Sequence, residues 1–155
     1  MNETDILNTK ILIVDDAEAN LKLLEDLLTR EGFHQIISTS DSTRALDLFI
    51  AFQPDLILLD LMMPELDGYA VLEILSRHIP KDEYLPVLVL TADATIVAKR
   101  KALALGAKDF LTKPFDTIEA MLRVWNLLET RVLYRQLKVL NKEIKPIPHS
   151  SSLSE

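Results

Sequence analysis

The chain has 155 residues, 48% hydrophobic and 26% charged, a balance that supports one packed domain and excludes a disordered chain. A net charge of -7 leaves no basic face without heavy local segregation, so direct nucleic-acid binding is not expected. The absence of cysteine rules out disulfides and thiolate metal sites. Met1 to Lys10 is polar, unlike a signal peptide, and no apolar run approaches the roughly eighteen residues of a membrane span. A soluble, cytoplasmic, single-domain protein without membrane contact is the expectation.

The first apolar run, Ile11–Val14, is short, unbroken and rich in branched side chains, which predicts a strand buried on both faces. Leu21, Leu24, Leu27 and Leu28 then form a helical stripe closed at Gly32. Ile36 and Ile37, inside His34–Thr39, have polar neighbours and suit an edge strand. Asp41 or Ser42 can cap a second helix carrying Ala45, Leu46, Phe49 and Ile50, which stops before Pro54. Leu56–Leu59 is the next buried strand. Asp67-Gly68 reads as turn chemistry ahead of a helix with Ala70, Val71, Ile74 and Leu75. Val87–Leu90 repeats the strand pattern, a helix from about Thr95 to Leu105 ends at Gly106, and Phe110–Leu111 is a weaker strand. The last helix opens near Asp116 and runs well past Leu128. Strands alternating with helices imply right-handed crossovers and a doubly wound parallel sheet. The tail from Lys145 to Glu155, with two prolines and four serines, reads as linker or disordered end.

In an open α/β sheet, ligands bind beyond the carboxyl ends of the strands. Asp15 and Asp16 follow the first strand here, Asp60 the third, Thr91 the fourth and Lys113 the fifth. Neighbouring strands lie a few ångströms apart, so these side chains converge. Carboxylates held together raise one another's pKa unless a cation neutralises them. An all-oxygen set favours a hard ion, and magnesium takes one or two carboxylates, waters and a phosphate oxygen. Each residue alone has a quieter role available: Asp15, Asp16 and Thr91 as helix caps, Asp60 as a loop acid, Lys113 as a solvated cation, Phe110 as core. Five such accidents at strand ends are harder to credit than one site. His34, His78 and His149 share no metal-ligand spacing and are taken as structural or exposed.

Four strings carry a family resemblance: Val14-Asp15-Asp16; Leu58-Leu59-Asp60-Leu61-Met62-Met63-Pro64 with Asp67-Gly68; Leu90-Thr91-Ala92; and Asp109-Phe110-Leu111-Thr112-Lys113-Pro114-Phe115. In order and interval they resemble the receiver domains of two-component response regulators, the CheY-like superfamily. The fold expected is a (βα)5 doubly wound five-stranded parallel sheet, flavodoxin-like order 2-1-3-4-5, with an extended C-terminal helix. The resemblance implies that Asp60 is the phosphoacceptor, taking a phosphoryl group from a phosphohistidine on a sensor histidine kinase or a histidine phosphotransfer protein. It implies Mg2+ held by Asp15, Asp16, Asp60 and the backbone carbonyl of Met62. Thr91 then bonds the phosphoryl oxygen, Lys113 pairs with the carboxylate and next the phosphate, and Phe110 is the aromatic switch that follows Thr91. Asp93 bears on how long the phosphate lasts. The Lys113–Pro114 bond is often cis in this family. No separate enzyme activity is expected beyond the receiver assisting its own phosphorylation and dephosphorylation.

The expected boundaries are residues 9–130 for the receiver, 131–144 for the extended helix and 145–155 for the tail. Ile118, Met121, Leu122, Trp125, Leu128 and Val132 are expected to pack on the receiver. Beyond them Leu133, Leu137, Leu140 and Ile144 fall at four-three-four spacing, an a/d seam with Arg131, Arg135, Lys138, Lys142 and Glu143 around it. A homodimer through this helix, pairing in parallel, is the expectation; a frayed amphipathic extension is the plainer alternative. Leu127–Leu140 is also similar, weakly, to the connector of regulators whose output is a cyclic-di-GMP phosphodiesterase. The whole is read as a phosphorylation switch, the receiver part of a larger regulator. A non-phosphorylated pseudo-receiver acting as a dimerisation module is the alternative. A phosphatase of the haloacid dehalogenase type wants a second aspartate two residues after the nucleophile, where this chain has Met62.

Overall fold

A computed structural model of the chain describes residues 2–64 and 66–143. Five parallel strands, β1 (Lys10–Val14), β2 (Gln35–Thr39), β3 (Leu56–Asp60), β4 (Val87–Thr91) and β5 (Asp109–Thr112), form one sheet in the order β2-β1-β3-β4-β5. Among the described residues six α-helices accompany them: α1 (Glu3–Leu7), α2 (Glu18–Glu31), α3 (Ala45–Phe52), α4 (Gly68–His78), α5 (Ile96–Ala104) and α6 (Thr117–Glu143). The expected doubly wound sheet with a long last helix is what the chain adopts.

Side chains alternate across a strand, so each central strand feeds two cores. Ile11, Ile13, Leu56, Leu58, Leu88 and Leu90 pack with residues of α1, α2 and α6. Leu12, Val14, Ile57, Leu59, Val87 and Val89 pack with residues of α3, α4 and α5. That double burial is why the strand sequences are continuously apolar. β2 lies at one edge and is mostly half-buried, as its polar neighbours foretold.

Helix ends follow local chemistry. Gly32 closes α2 in the left-handed region at φ 111°. Asp41, not Ser42, caps the 3-10 turn Ser42–Arg44 that leads into α3, accepting from the Thr43 amide. Ile50, placed on the α3 stripe from its spacing, is exposed. The amino-terminal segment, read only as polar, forms α1. Asn2 and Asp5 make a reciprocal capping box there, and Ile6 is buried in the same core as Val132.

The face of α6 differs from the expected one. Ala120, Val124, Leu127, Leu128, Arg131 and Val132 are buried, whereas Ile118 and Leu122 are exposed. Ile118 and Leu122 each stand two positions from a core residue, about 200° around the helix. Met121 and Trp125 are partly buried against the core, as expected, and Trp125 meets Phe33 edge to face. Arg131, assigned from sequence to the surroundings of the leucine seam, is only 7% exposed and belongs to the domain. Leu133, Leu137 and Leu140 are exposed; Ile144 and the tail lie outside the described residues. Among the described residues no helix is long and apolar enough to cross a membrane.

Candidate phosphoacceptor site

All the strands point the same way, so their carboxyl ends share one rim of the sheet. The ladder continues past the strand ends there: the amide of Asp15 donates to Thr39, that of Leu61 to Leu90, and that of Lys113 to Thr91. These bonds set Asp15, Asp60, Thr91 and Lys113 side by side. Asp15 and Asp60 are fully buried, and Asp16 is exposed at the mouth. Ligand oxygens of Asp15, Asp16 and Asp60 all lie within 4.8 Å of one another.

Lys113 reaches into this cluster, its Nζ 3.0 Å from Asp15 Oδ2 and 3.3 Å from Asp60 Oδ1. Asp60 Oδ1 also accepts from the Met62 amide at 3.1 Å, and Asp15 Oδ1 from the Ala17 amide at 3.0 Å. Burial pushes the Asp60 carboxyl up to about 6, reinforced by Asp15 and Asp16; the Met62 amide and Lys113 oppose the rise without cancelling it. One ammonium among three carboxylates leaves negative charge uncompensated. The set is all oxygen, crowded and partly open to solvent, which fits a hard divalent cation.

Thr91 is buried at the end of β4, its Oγ1 accepting from the Asp93 amide at 3.0 Å. Asp93 in turn accepts from the Thr95 amide, which holds its carboxyl below the usual range. Phe110 stands apart from the cluster on edge strand β5, in register with Val89 and half-buried on the α5 side. The Lys99 ammonium lies 4.6 Å from its ring centroid. Met62 turns its side chain to solvent. The Lys113–Pro114 peptide is cis.

Gly68 has a larger part than turn chemistry. A Cβ there would sit 2.2 Å from the Leu61 Cα and 2.5 Å from the Asp60 carbonyl oxygen, so only glycine lets α4 start against the end of β3. Its amide donates to the Leu61 carbonyl, while Asp67 caps the helix by accepting from the Ala70 amide. No spacing in the sequence signals a contact between Gly68 and the backbone beside the acceptor; the glycine itself was the only visible mark.

The class defined by this arrangement is a doubly wound α/β domain with an acidic, lysine-bridged cleft on the carboxyl rim of its sheet. Residues 11–124 match the response regulator receiver domain, and the chain belongs to that family. It is 37% identical over 132 residues to the response regulator PleD of Caulobacter vibrioides, covering 85% of this chain and 29% of PleD. It is 41% identical over 122 residues to the alkaline phosphatase synthesis transcriptional regulatory protein PhoP of Bacillus subtilis, covering 79% of this chain and 49% of PhoP. The solved structure of NtrX from Brucella abortus superposes with a TM-score of 0.76 at 31% identity, over 86% of this chain and 29% of that one. The chain thus spans less than half the length of PleD, PhoP and NtrX.

Proposed function

We propose that the chain is a phosphorylation switch whose Asp60 accepts a phosphoryl group from a phosphohistidine of a histidine kinase or phosphotransfer protein. The observation that carries this reading is the buried Asp60 carboxylate, held through Oδ1 by the Met62 amide and Lys113 beside two further aspartates. With its pKa near 6, Asp60 is about nine-tenths ionised at pH 7 and needs no base to act as nucleophile. Asp60 attacks phosphorus, the phosphorus–nitrogen bond breaks, and the electron pair leaves with the imidazole of the donor, which takes up a proton.

The obstacle is a negative group approaching a negative group. Lys113 reduces it by holding positive charge against the oxygens where charge accumulates. Asp15, Asp16, Asp60 and the Met62 carbonyl are the residues to hold Mg2+. When bound, that ion supplies a counter-charge to the transferred oxygens. Thr91 hydrogen-bonds the phosphoryl group, and Phe110 follows it away from Lys99. The phosphate shifts the balance of states only by what it gains in one over the other.

The test is intact mass after incubation with acetyl phosphate and magnesium. A single phosphoryl adduct on the wild type, absent from Asp60→Asn and abolished by chelator, is the expected result. No adduct on the folded wild type, under conditions that modify another receiver, would overturn the reading.

A further inference from the structure

Helix α5 is held by little apolar surface. Ala98 and Ala102 are its buried residues, while Ile96, Val97 and Leu103 face solvent. Two of its lysines meet aromatic rings on either flank. The Lys99 ammonium lies 4.6 Å from the Phe110 ring centroid, and the Lys101 ammonium 4.2 Å from that of Tyr69. Lys99 is partly buried and has no carboxylate partner among the described residues. The start of the same helix is tied to Thr91. The Asp93 amide donates to Thr91 Oγ1, the Thr95 amide to Asp93 Oδ1, and Thr95 caps α5 by accepting from the Ala98 amide. The Lys99 amide donates to the Thr95 carbonyl, one turn into the helix. Thr91 and Phe110 also share a face of the sheet, because Phe110 is in register with Val89, two residues before Thr91. A closed circuit of contacts, from Thr91 through Asp93, Thr95 and Lys99 to Phe110, therefore keeps the hydroxyl and the ring in one arrangement.

We propose that Lys99 is a positioning residue that latches Phe110 in this resting arrangement and so limits how tightly Asp60 holds a phosphoryl group. The proposal rests on Asp60 being the acceptor. A cation over a ring face stabilises the arrangement in which the two meet, and only that one. When Thr91 leaves the Asp93 amide for a phosphoryl oxygen, the circuit opens, and Phe110 gives up the Lys99 ammonium to follow. That lost contact counts against the phosphorylated arrangement. By linkage, weakening the resting arrangement tightens whatever binds the other one. The sign is opposite to plain electrostatics, in which removing a cation from the domain weakens the hold on an anion.

Calorimetric titration of the magnesium-loaded protein with beryllium fluoride, a phosphoryl mimic that binds to carboxylates, tests the latch. Glutamine matches lysine in helix propensity, so Lys99→Gln keeps α5 intact. This variant is expected to bind roughly three- to tenfold more tightly than the wild type. Lys99→Arg keeps a cation for the ring, and Lys101→Gln loses the same charge from the opposite flank; both are expected to bind as the wild type does. In a Phe110→Leu background the ring is gone, and Lys99→Gln is expected to add nothing further. Three results would each overturn the proposal: Lys99→Gln binding no more tightly than the wild type, Lys101→Gln tightening binding as much, or the Lys99→Gln effect persisting without the ring. A wild type that binds no beryllium fluoride would sink the acceptor reading itself and the latch with it.

Discussion

Asp60→Asn is expected to make the metal-free protein more stable at neutral pH. Asp60 is 2% exposed and its carboxyl is displaced from 3.8 to about 6, chiefly by burial. At 1.36 kcal/mol per tenfold, ionising it in the fold costs at most ~3 kcal/mol. Solvent entering from the mouth of the cleft screens part of this, leaving about 1.5–2 kcal/mol. The sign follows from proton linkage. A carboxyl raised on folding makes the native state bind more protons than the unfolded one, so stability falls as pH rises from about 4 to 6. Asparagine removes the charge and keeps an oxygen for the Met62 amide. The stabilisation is therefore present above pH 6 and fades towards pH 4. For a domain of this length it raises the melting temperature by roughly 3–8 °C. Thermal unfolding of both proteins in chelator, at pH 7.5 and pH 4, measures it. A variant less stable at pH 7.5, or a gain that persists unchanged at pH 4, would refute the electrostatic account of the cleft.

Other outcomes are as definite. Magnesium at about a hundred times its dissociation constant should stabilise the wild type by ~2.7 kcal/mol, and Asp15→Asn should lose most of that rise in melting temperature. Gly68→Ala forces a Cβ into the backbone of Leu61 and Asp60 and is expected to cost more than about 3 kcal/mol in urea unfolding; a loss under about 1 kcal/mol would contradict the contact. Arg131→Met leaves the buried Asp55 with the more exposed Arg135 as its charge partner and should cost roughly 1.5–3 kcal/mol by the same measurement. Lys113→Met should slow adduct formation from acetyl phosphate well below the wild-type rate without abolishing the fold, as time-resolved intact mass would report.

The sheet was legible because double burial writes itself as unbroken branched residues, as in Ile11–Val14 and Leu56–Leu59. The cluster was legible because parallel strands bring their carboxyl ends together, so four strand ends named Asp15, Asp60, Thr91 and Lys113 without any contact being known. Helix α1 was not, since five residues with one buried side chain show no period. The face of α6 was misread because the helix carries apolar residues on two sides, and spacing alone ranks Leu122 with Val124. Arg131 was out of reach for another reason. Its partners Asp55 and Glu83 lie 76 and 48 residues away, and no local pattern separates a buried arginine from a solvated one. Gly68 was seen but undervalued, because what it avoids is a neighbour in space.

Helix α6 also acts as a ruler and a protractor. It is clamped to the receiver from Arg131 to Lys138 and carries its leucines on another face of the same stretch. Each residue inserted beyond Lys138 advances whatever follows by 1.5 Å and turns it by about 100°. A single insertion there therefore turns Leu140 out of line with Leu133 and Leu137, while seven residues bring it back to within about 20°. Whatever is joined to this helix inherits that phase, so chimeras built on the domain should work or fail with the length of the join, in steps of about seven.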